Sequence, residues 1–333
     1  MTPRAQVREH LQSFPRWILI SHEKPDGDTL GCASALYALA RQQGIEVRWW
    51  GKDPLPSLYA FLPGSKRYET VQDASAARSA LGDDPWLWVF LDTSRRDRSL
   101  PGLPVPAPGD LFLNLDHHGD NDAFGDVNWI DPQAAAVGEM VTDLLLDGPW
   151  DWGQDVATGL YVALSTDTGS FRYESTTGAT HRAAAALLDR GVDLSTVEDG
   201  LHRRFQPGTL HLWGAVLSRS RFGKDGSVVV SWVEEEDYRI HHSDPSETEN
   251  LVNLLLSLRT AVIAALVTPH ETGSRVSLRT RPPVDARALA SRFGGGGHPR
   301  AAGFRMAETP SQATARLLEE FSRHDVFGHP ATR

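Results

Sequence analysis

The sequence predicts an α/β protein. Its first half is built on a buried parallel sheet, and a smaller α/β unit follows. Three observations carry this reading. Short apolar runs bounded by turn residues alternate with helical patterns through the first 190 residues, as strands covered on both faces do. Beyond residue 214 the order changes to a hairpin, three further strands and flanking helices. Four apolar runs, over 17–20, 86–91, 111–115 and 160–164, lead directly into Asp or His.

Taken in order, 17–21 reads as a strand. Residues 29–43 read as a helix stopped by Gly44, a residue suited to the left-handed position after a helix. A second strand covers 46–50, a helix 75–81 and a strand 86–92. A proline-rich loop spans 101–108, and 111–115 is another strand. Helices are expected over 134–146 and 155–164; the second is apolar enough to be read as a strand as well, and in either form its end carries Asp167. Residues 180–190 form a helix with Gly191 after it, and the polar stretch 193–206 reads as a connection. Residues 220–233 form a hairpin turning at Asp225-Gly226. A helix over 248–258, strands over 261–268 and 275–281, a helix over 285–293, a short strand near 302–306 and a helix over 311–323 complete the chain. The expected boundaries are a first domain over 1–190, a linker over 191–214 and a second domain over 215–330.

The chain has 333 residues and a formal net charge of −10, which argues against a long electrostatic footprint on duplex nucleic acid. Residues 270–305 are the exception, with seven arginines against Glu271 and Asp285. No apolar run approaches the roughly 18 residues of a membrane span. Residues 1–10 lack the apolar core of a secretory signal, so a cytoplasmic location is expected. The single cysteine, Cys32, lies on an apolar helical face and reads as a buried small hydrophobe.

In parallel sheets ligands sit beyond the carboxyl ends of the strands. The four run ends would therefore bring His22, Asp26, Asp28, Asp92, Asp116, His117, His118 and Asp167 to one edge. So many like charges are costly together unless a cation lies between them. An ordinary reading exists for each: Asp28 as a helix cap, Asp92 as a partner of Arg95 or Arg96, Asp167 as an exposed turn residue. Asp116 is better suited to orient an imidazole than to bind a metal directly. Oxygen and imidazole donors without thiolate suit Mn²⁺, Mg²⁺ or another hard divalent ion. Asp26, Asp28, Asp92 and Asp167 would roughly neutralise two such ions, an arrangement used in phosphoryl transfer. Downstream, Gly294, Gly295, Gly296 and Gly297 would allow a backbone to approach a phosphate, with His298, Arg279 and Arg300 as donors. Arg203 and Arg204 could also face a substrate cleft, but a solvated helix face accounts for them better.

At these residues the chain resembles the DHH family of phosphoesterases. Asp26-Gly27-Asp28, Asp92, Asp116-His117-His118 and Asp167 match the family's four motifs in order. Gly294 to His298, followed by Ala301-Ala302-Gly303, resembles the glycine-rich motif of the DHH-associated C-terminal domain. The resemblance covers nearly the whole chain and is similar to the bacterial nanoRNases that also dephosphorylate adenosine 3′,5′-bisphosphate (pAp). It implies two Mn²⁺ ions, one held by His22, Asp26 and Asp92, the other by Asp28, Asp92, His117 and Asp167. It implies catalytic roles for His118, Asp92 and Asp116, with His118 near the scissile phosphate. Arg279, Arg300 and the glycine loop with His298 would hold the substrate's far end. The active site would lie in the cleft between the domains.

The expected activity is metal-dependent hydrolysis of very short RNA and of pAp. Within the class, cyclic or linear dinucleotides and long single-stranded DNA, in the manner of RecJ, are alternative substrates. From another class, a non-catalytic nucleotide-binding module is the alternative, though four carboxylates are more than binding requires. A homodimer is one option for assembly, and no membrane partner is expected.

Overall fold

The first apolar runs become strands of one sheet: β1 (Arg16–Ser21), β2 (Glu46–Gly51), β3 (Tyr68–Thr70), β4 (Leu87–Leu91), β5 (Leu111–Asp116) and β6 (Val127–Ile130). These are seen in a computed structural model describing residues 1–104, 106–203, 205–248 and 250–323. All five pairings are parallel, in the order β3-β2-β1-β4-β5-β6. Burial explains why the runs are continuous and apolar. Along β1, Trp17 and Leu19 enter one core, while Ile18 and Ile20 enter another on the opposite face. The same alternation sends Leu87, Val89 and Leu91 to one side and Trp88 and Phe90 to the other.

The helices of this unit are α1 (Pro3–Ser13), α2 (Gly27–Gln42), α3 (Ala74–Ser79), α4 (Val137–Leu146), α5 (Gln154–Asp167), α6 (Gly178–Asp189) and α7 (Leu194–Leu201). The run over 155–164 is therefore helical, and its reading as a strand is corrected. Its apolar character comes from a close helix crossing. Where α2 meets α5, a Cβ on Gly31 would lie 2.4 Å from the Gly159 carbonyl oxygen, and one on Gly159 would lie 2.6 Å from that of Gly31. Only two glycines permit that approach. Helix α5 is consequently buried on nearly every side, and no polar face remains to mark its period.

The chain divides into units Met1–Arg204 and Phe205–Arg333. The segment expected as a linker, 191–214, is largely helical, holding α7 and the first part of α8 (Pro207–Ser218). The second unit continues with β7 (Arg221–Gly223), β8 (Val228–Trp232), α9 (Glu235–His241), α10 (Leu251–Leu256), β9 (Ile263–His270), β10 (Gly273–Thr280), α11 (Ala286–Ser291), β11 (Gly296–Gly297), β12 (Ala301–Met306) and α12 (Pro310–Phe321). Its sheet runs β11-β12-β10-β9-β8-β7 and is antiparallel except for the β8–β9 pair. Residues 225 and 226 make the expected hairpin turn, both with positive φ. Among the earlier expectations, Arg204 lies outside the described residues, as do residue 249 of the helix expected over 248–258 and the end of the second domain beyond 323.

Candidate metal centre

The strand register levels the carboxyl ends of three neighbours. Ser21 of β1 pairs with Leu91 of β4, and Leu91 pairs with Leu115 of β5. The next residues, His22, Asp92 and Asp116, therefore emerge side by side. Strand order reverses between β1 and β4, the place where open α/β sheets bind ligands. Asp92 leaves its strand with φ 55°, a left-handed conformation that Asp tolerates better than most residues. Its backbone N–H donates to the Leu115 carbonyl at 2.9 Å. The turn directs a 4% exposed carboxylate into the centre of the group.

Ligating atoms of His22, Asp26 and Asp92 lie within 4.8 Å of one another, as do those of Asp28, His117 and Asp167, and those of Asp92, His117 and His118. His22 Nε2 is 3.5 Å from Asp26 Oδ1 and 3.4 Å from Asp92 Oδ2. His117 Nε2 is 3.5 Å from Asp92 Oδ1 and 3.3 Å from Asp167 Oδ2. Asp92 thus faces both groups. In each of the two histidines Nδ1 lies against a carbonyl, that of Glu23 at 2.8 Å for His22 and that of Ala134 at 3.2 Å for His117. With Nδ1–H donating there, Nε2 is the nitrogen that faces the acids, and loss of its proton would leave its lone pair for a metal.

His118 differs. Its Nδ1 lies 2.8 Å from Asp116 Oδ1, so Nδ1–H is committed to that carboxylate and Nε2 points elsewhere. Asp116 is fully buried and also accepts from Asn121 Nδ2 at 2.5 Å. Burial opposes its ionisation, but the bonds from His118 and Asn121 hold its carboxyl below the usual range. Asp116 is thus bonded to the His118 imidazole on one oxygen and to Asn121 on the other. Asn121 was missed by sequence reasoning; its place in the polar turn after the two histidines was the available signal.

Asp26 caps α2, accepting from the N–H groups of Asp28 and Thr29 at 3.1 and 3.3 Å, so the capping role expected of Asp28 belongs to Asp26. Asp28 is instead held by the start of α4, accepting from Val137 N at 2.6 Å and Gly138 N at 2.9 Å. A helix N-terminus favours negative charge. Nevertheless, burial and then Asp92, Asp167 and Asp26 hold its carboxyl well above the usual range. Burial likewise pushes Asp167 up to about 7, against His117 and with Asp92. Burial alone would lower His22, but bonds to Asp26 and Asp92 push it up to about 10. In each case the site favours added positive charge.

The residues fit a divalent ion by two tests. Asp92 Oδ1 is buried without a hydrogen-bond partner, an oxygen whose desolvation is otherwise uncompensated. The converging donors are carboxylate oxygens and imidazole nitrogens, the set suited to hard divalent ions. The ordinary alternatives are accounted for elsewhere: Arg95 pairs with Asp97 at 3.2 Å, and Arg96 donates to the Pro104 carbonyl at 2.8 Å. Cys32 is fully buried, with Sγ 3.4 Å from Asp28 Oδ1.

The remaining expected residues lie in the second unit, on one hairpin and its neighbour. Arg279 of β10 pairs with Ala301 of β12, and β11 adds Gly296 and Gly297 beside Gly303 and Ala302. Gly294 and Gly297 have φ of 73° and 140°, conformations that favour glycine. His298 closes the turn, its N–H donating to the Ala301 carbonyl at 2.7 Å, and it is exposed. Arg279 donates to the Leu278 carbonyl at 3.0 Å, and Arg300 donates to the Val284 carbonyl at 2.5 Å. Arg203 is exposed and pairs with Asp199 at 2.9 Å.

Residues 16–164 match the DHH family, N-terminal domain, and residues 225–324 match the DHHA1 domain. The bifunctional oligoribonuclease and PAP phosphatase NrnA of Thermus thermophilus is 33% identical over 90% of this chain and 87% of its own length. The Bacillus subtilis protein of the same description is 26% identical over 86% and 88%. A solved structure of an exopolyphosphatase-related protein from Bacteroides fragilis has the same fold, with TM-score 0.84, 22% identity and 96% of each chain covered. With its acids and histidines gathered around Asp92 and both domains matched, this chain belongs to the DHH family and is a phosphoesterase, a hydrolase whose second unit is a DHHA1 domain.

Proposed function

We propose that this chain hydrolyses short oligoribonucleotides and pAp, using two divalent ions with Mn²⁺ as the preferred one, in the cytoplasm. The observation that carries the proposal is the place of Asp92 between two three-donor groups, as a member of the one with His22 and Asp26 and 3.5 Å from His117 of the other, with one buried oxygen lacking a hydrogen-bond partner. The relatives' descriptions as oligoribonuclease and PAP phosphatase support the substrate class.

His22, Asp26 and Asp92 would hold one ion; Asp28, Asp92, His117 and Asp167 would hold the other. Bound there, two divalent ions would lower the pKa of a water molecule and offset charge on a phosphate. The protein's own part is positional. Asp92 serves both groups from a rigid strand end, and the start of α4 fixes the Asp28 carboxylate. His118, with Nδ1–H on Asp116, offers Nε2 to a phosphate oxygen, and the Asp116 carboxylate stabilises the imidazolium form. In the second unit Arg279, Arg300, His298 and the loop of Gly294, Gly295, Gly296 and Gly297 would bind phosphates away from the reacting bond. Arg300 retains donors beyond the one used on Val284.

A product time course on labelled di- to decanucleotides tests this, with pAp and cyclic di-AMP alongside, in Mn²⁺ and in excess EDTA. The expected result is highest kcat/KM for roughly two to five nucleotides with a shallow salt dependence, because an arginine-rich island confined to residues 270–305 of an acidic chain meets few phosphates and releases few counterions. Full turnover in EDTA overturns the metal assignment. Efficiency rising to long strands with a steep salt slope overturns the short-substrate assignment.

A further inference from the structure

A pocket of about 550 Å³ opens in the first unit at the early residues of β2. Tyr37 of α2 and Tyr68 of β3 wall it, and Arg41, Arg48, Lys66 and Arg67 surround it. Glu46 and Glu69 also line it, so four cations against two acids leave a surplus of two positive charges in a chain of net charge −10. The acids do not satisfy the cations. Arg48 approaches Glu46 and Glu69 at 3.9 and 3.8 Å, too far for hydrogen bonds, and its Nε is buried without a partner. Arg41, Lys66 and Arg67 have no side-chain hydrogen bond or ion pair among the described residues.

The aromatic walls are held from behind. Trp49 is fully buried, with the Tyr68 ring edge-on at 5.6 Å and the Tyr37 ring tilted at 6.4 Å. The Tyr68 hydroxyl donates to the Asp53 carbonyl at 2.6 Å, which fixes the ring in place. The pocket is separate from the acids. Arg48 precedes Gly51, the β2 residue level with Ser21, by three positions, or about 10 Å at roughly 3.3 Å per residue.

Fixed aromatic surfaces beside unsatisfied guanidinium and ammonium groups suit a ligand with a flat ring and a phosphate. The volume lies within the roughly 300–1,000 Å³ of small-molecule sites, and the cations are confined to it rather than strung along a track. From this we infer that the pocket is a second ligand site, binding a mononucleotide. The base lies against the tyrosines and the phosphate among Arg41, Arg48, Lys66 and Arg67. The inference does not depend on the reaction catalysed at the acids.

Photolabelling of the full chain with 8-azido-AMP, followed by peptide mapping, tests it, and peptide identity separates this pocket from the Asp92 centre. Saturable label is expected on peptides carrying Tyr37 or Tyr68, suppressed by AMP. It should fall at least tenfold in Arg41→Glu/Arg67→Glu, both exposed positions, at an unchanged unfolding midpoint. Lys66→Glu supplies the same test with a smaller loss if the double variant unfolds. No label on those peptides, or label undiminished by the charge reversals, overturns the site. Protection by inorganic phosphate as effective as that by AMP overturns the nucleotide assignment in favour of a plain anion site.

Discussion

The acid-rich edge of the first unit and the glycine-rich hairpin of the second are assembled in different ways. In the first, side chains from residues 22 to 167 gather in groups whose ligating atoms lie within 4.8 Å of one another, and each alters the protonation of its neighbours. In the second, residues 279 to 303 lie on neighbouring strands of one sheet, and the arginines rest on backbone carbonyls. A centre that must develop charge on a reacting group needs fixed, convergent donors. A surface that only holds a phosphate needs donors with room to adapt. The contrast predicts that damage to the first unit appears in kcat and damage to the second in KM.

The largest effect is expected from Asp92→Ala. It removes the carboxylate that belongs to the His22–Asp26 group and faces His117 of the other, so kcat/KM should fall by about 10³-fold or more, roughly 4 kcal/mol. The metal-free variant should remain folded, since a buried like charge is lost. Near-normal turnover would break the comparison.

His118→Ala should lower kcat by about 10²-fold with little change in KM, as for loss of a positioned proton donor. Arg279→Ala should raise KM about tenfold with kcat nearly intact, as for loss of a charge-assisted contact made equally in ground and transition states. Steady-state kinetics of both on one dinucleotide decides the matter. The same profile for both would show that the units do not divide the work.

Gly31→Ala should destabilise the first unit by about 2 kcal/mol through overpacking, because the new methyl meets backbone of α5. Activity should fall with it, while hydrogen exchange in the second unit stays unchanged. Loss of stability without loss of activity would show that the crossing does not set the site.

The smallest effect concerns acid. Each unit holds a two-pronged pair, Arg78 with Asp110, both buried, and half-buried Arg219 with buried Asp237. Burial opposes ionisation of both aspartates, but the arginines hold them below the usual carboxylate range. A depressed folded pKa stabilises above the unfolded value of about 3.9 and is lost as pH falls through the folded one. Exchange protection should therefore decline in both units below about pH 4, and a unit without that decline would set the two apart.

The donor set was legible because buried parallel strands are apolar to their last residue, so a terminal Asp or His stands out. What supports that set was not. The bond from α4 to Asp28 joins residues about 110 apart, and no local pattern announces it. Strands β3 and β6 escaped notice because Tyr68-Glu69-Thr70 and Val127-Asn128-Trp129-Ile130 are mostly exposed or half-buried and lack an apolar run. Helix α9, acidic at its start, has too few apolar residues to mark it, and α7 lies in the stretch read as a connection because its two buried residues, Val197 and Leu201, are too few to show a period. The strand option for 155–164 arose because a helix pressed from all sides has no polar face.

The Gly31–Gly159 contact has a bearing on how distant sequences are compared. Helix α2 begins beside Asp26 and Asp28, and α5 ends at Asp167, so the closeness of the two backbones sets how far apart those acids stand. A sequence that keeps every acid and histidine but carries larger residues at both crossing positions would retain the signature and lose the spacing. Sorting diverged chains into active and inactive therefore calls for reading these two silent positions with the same weight as the charged ones.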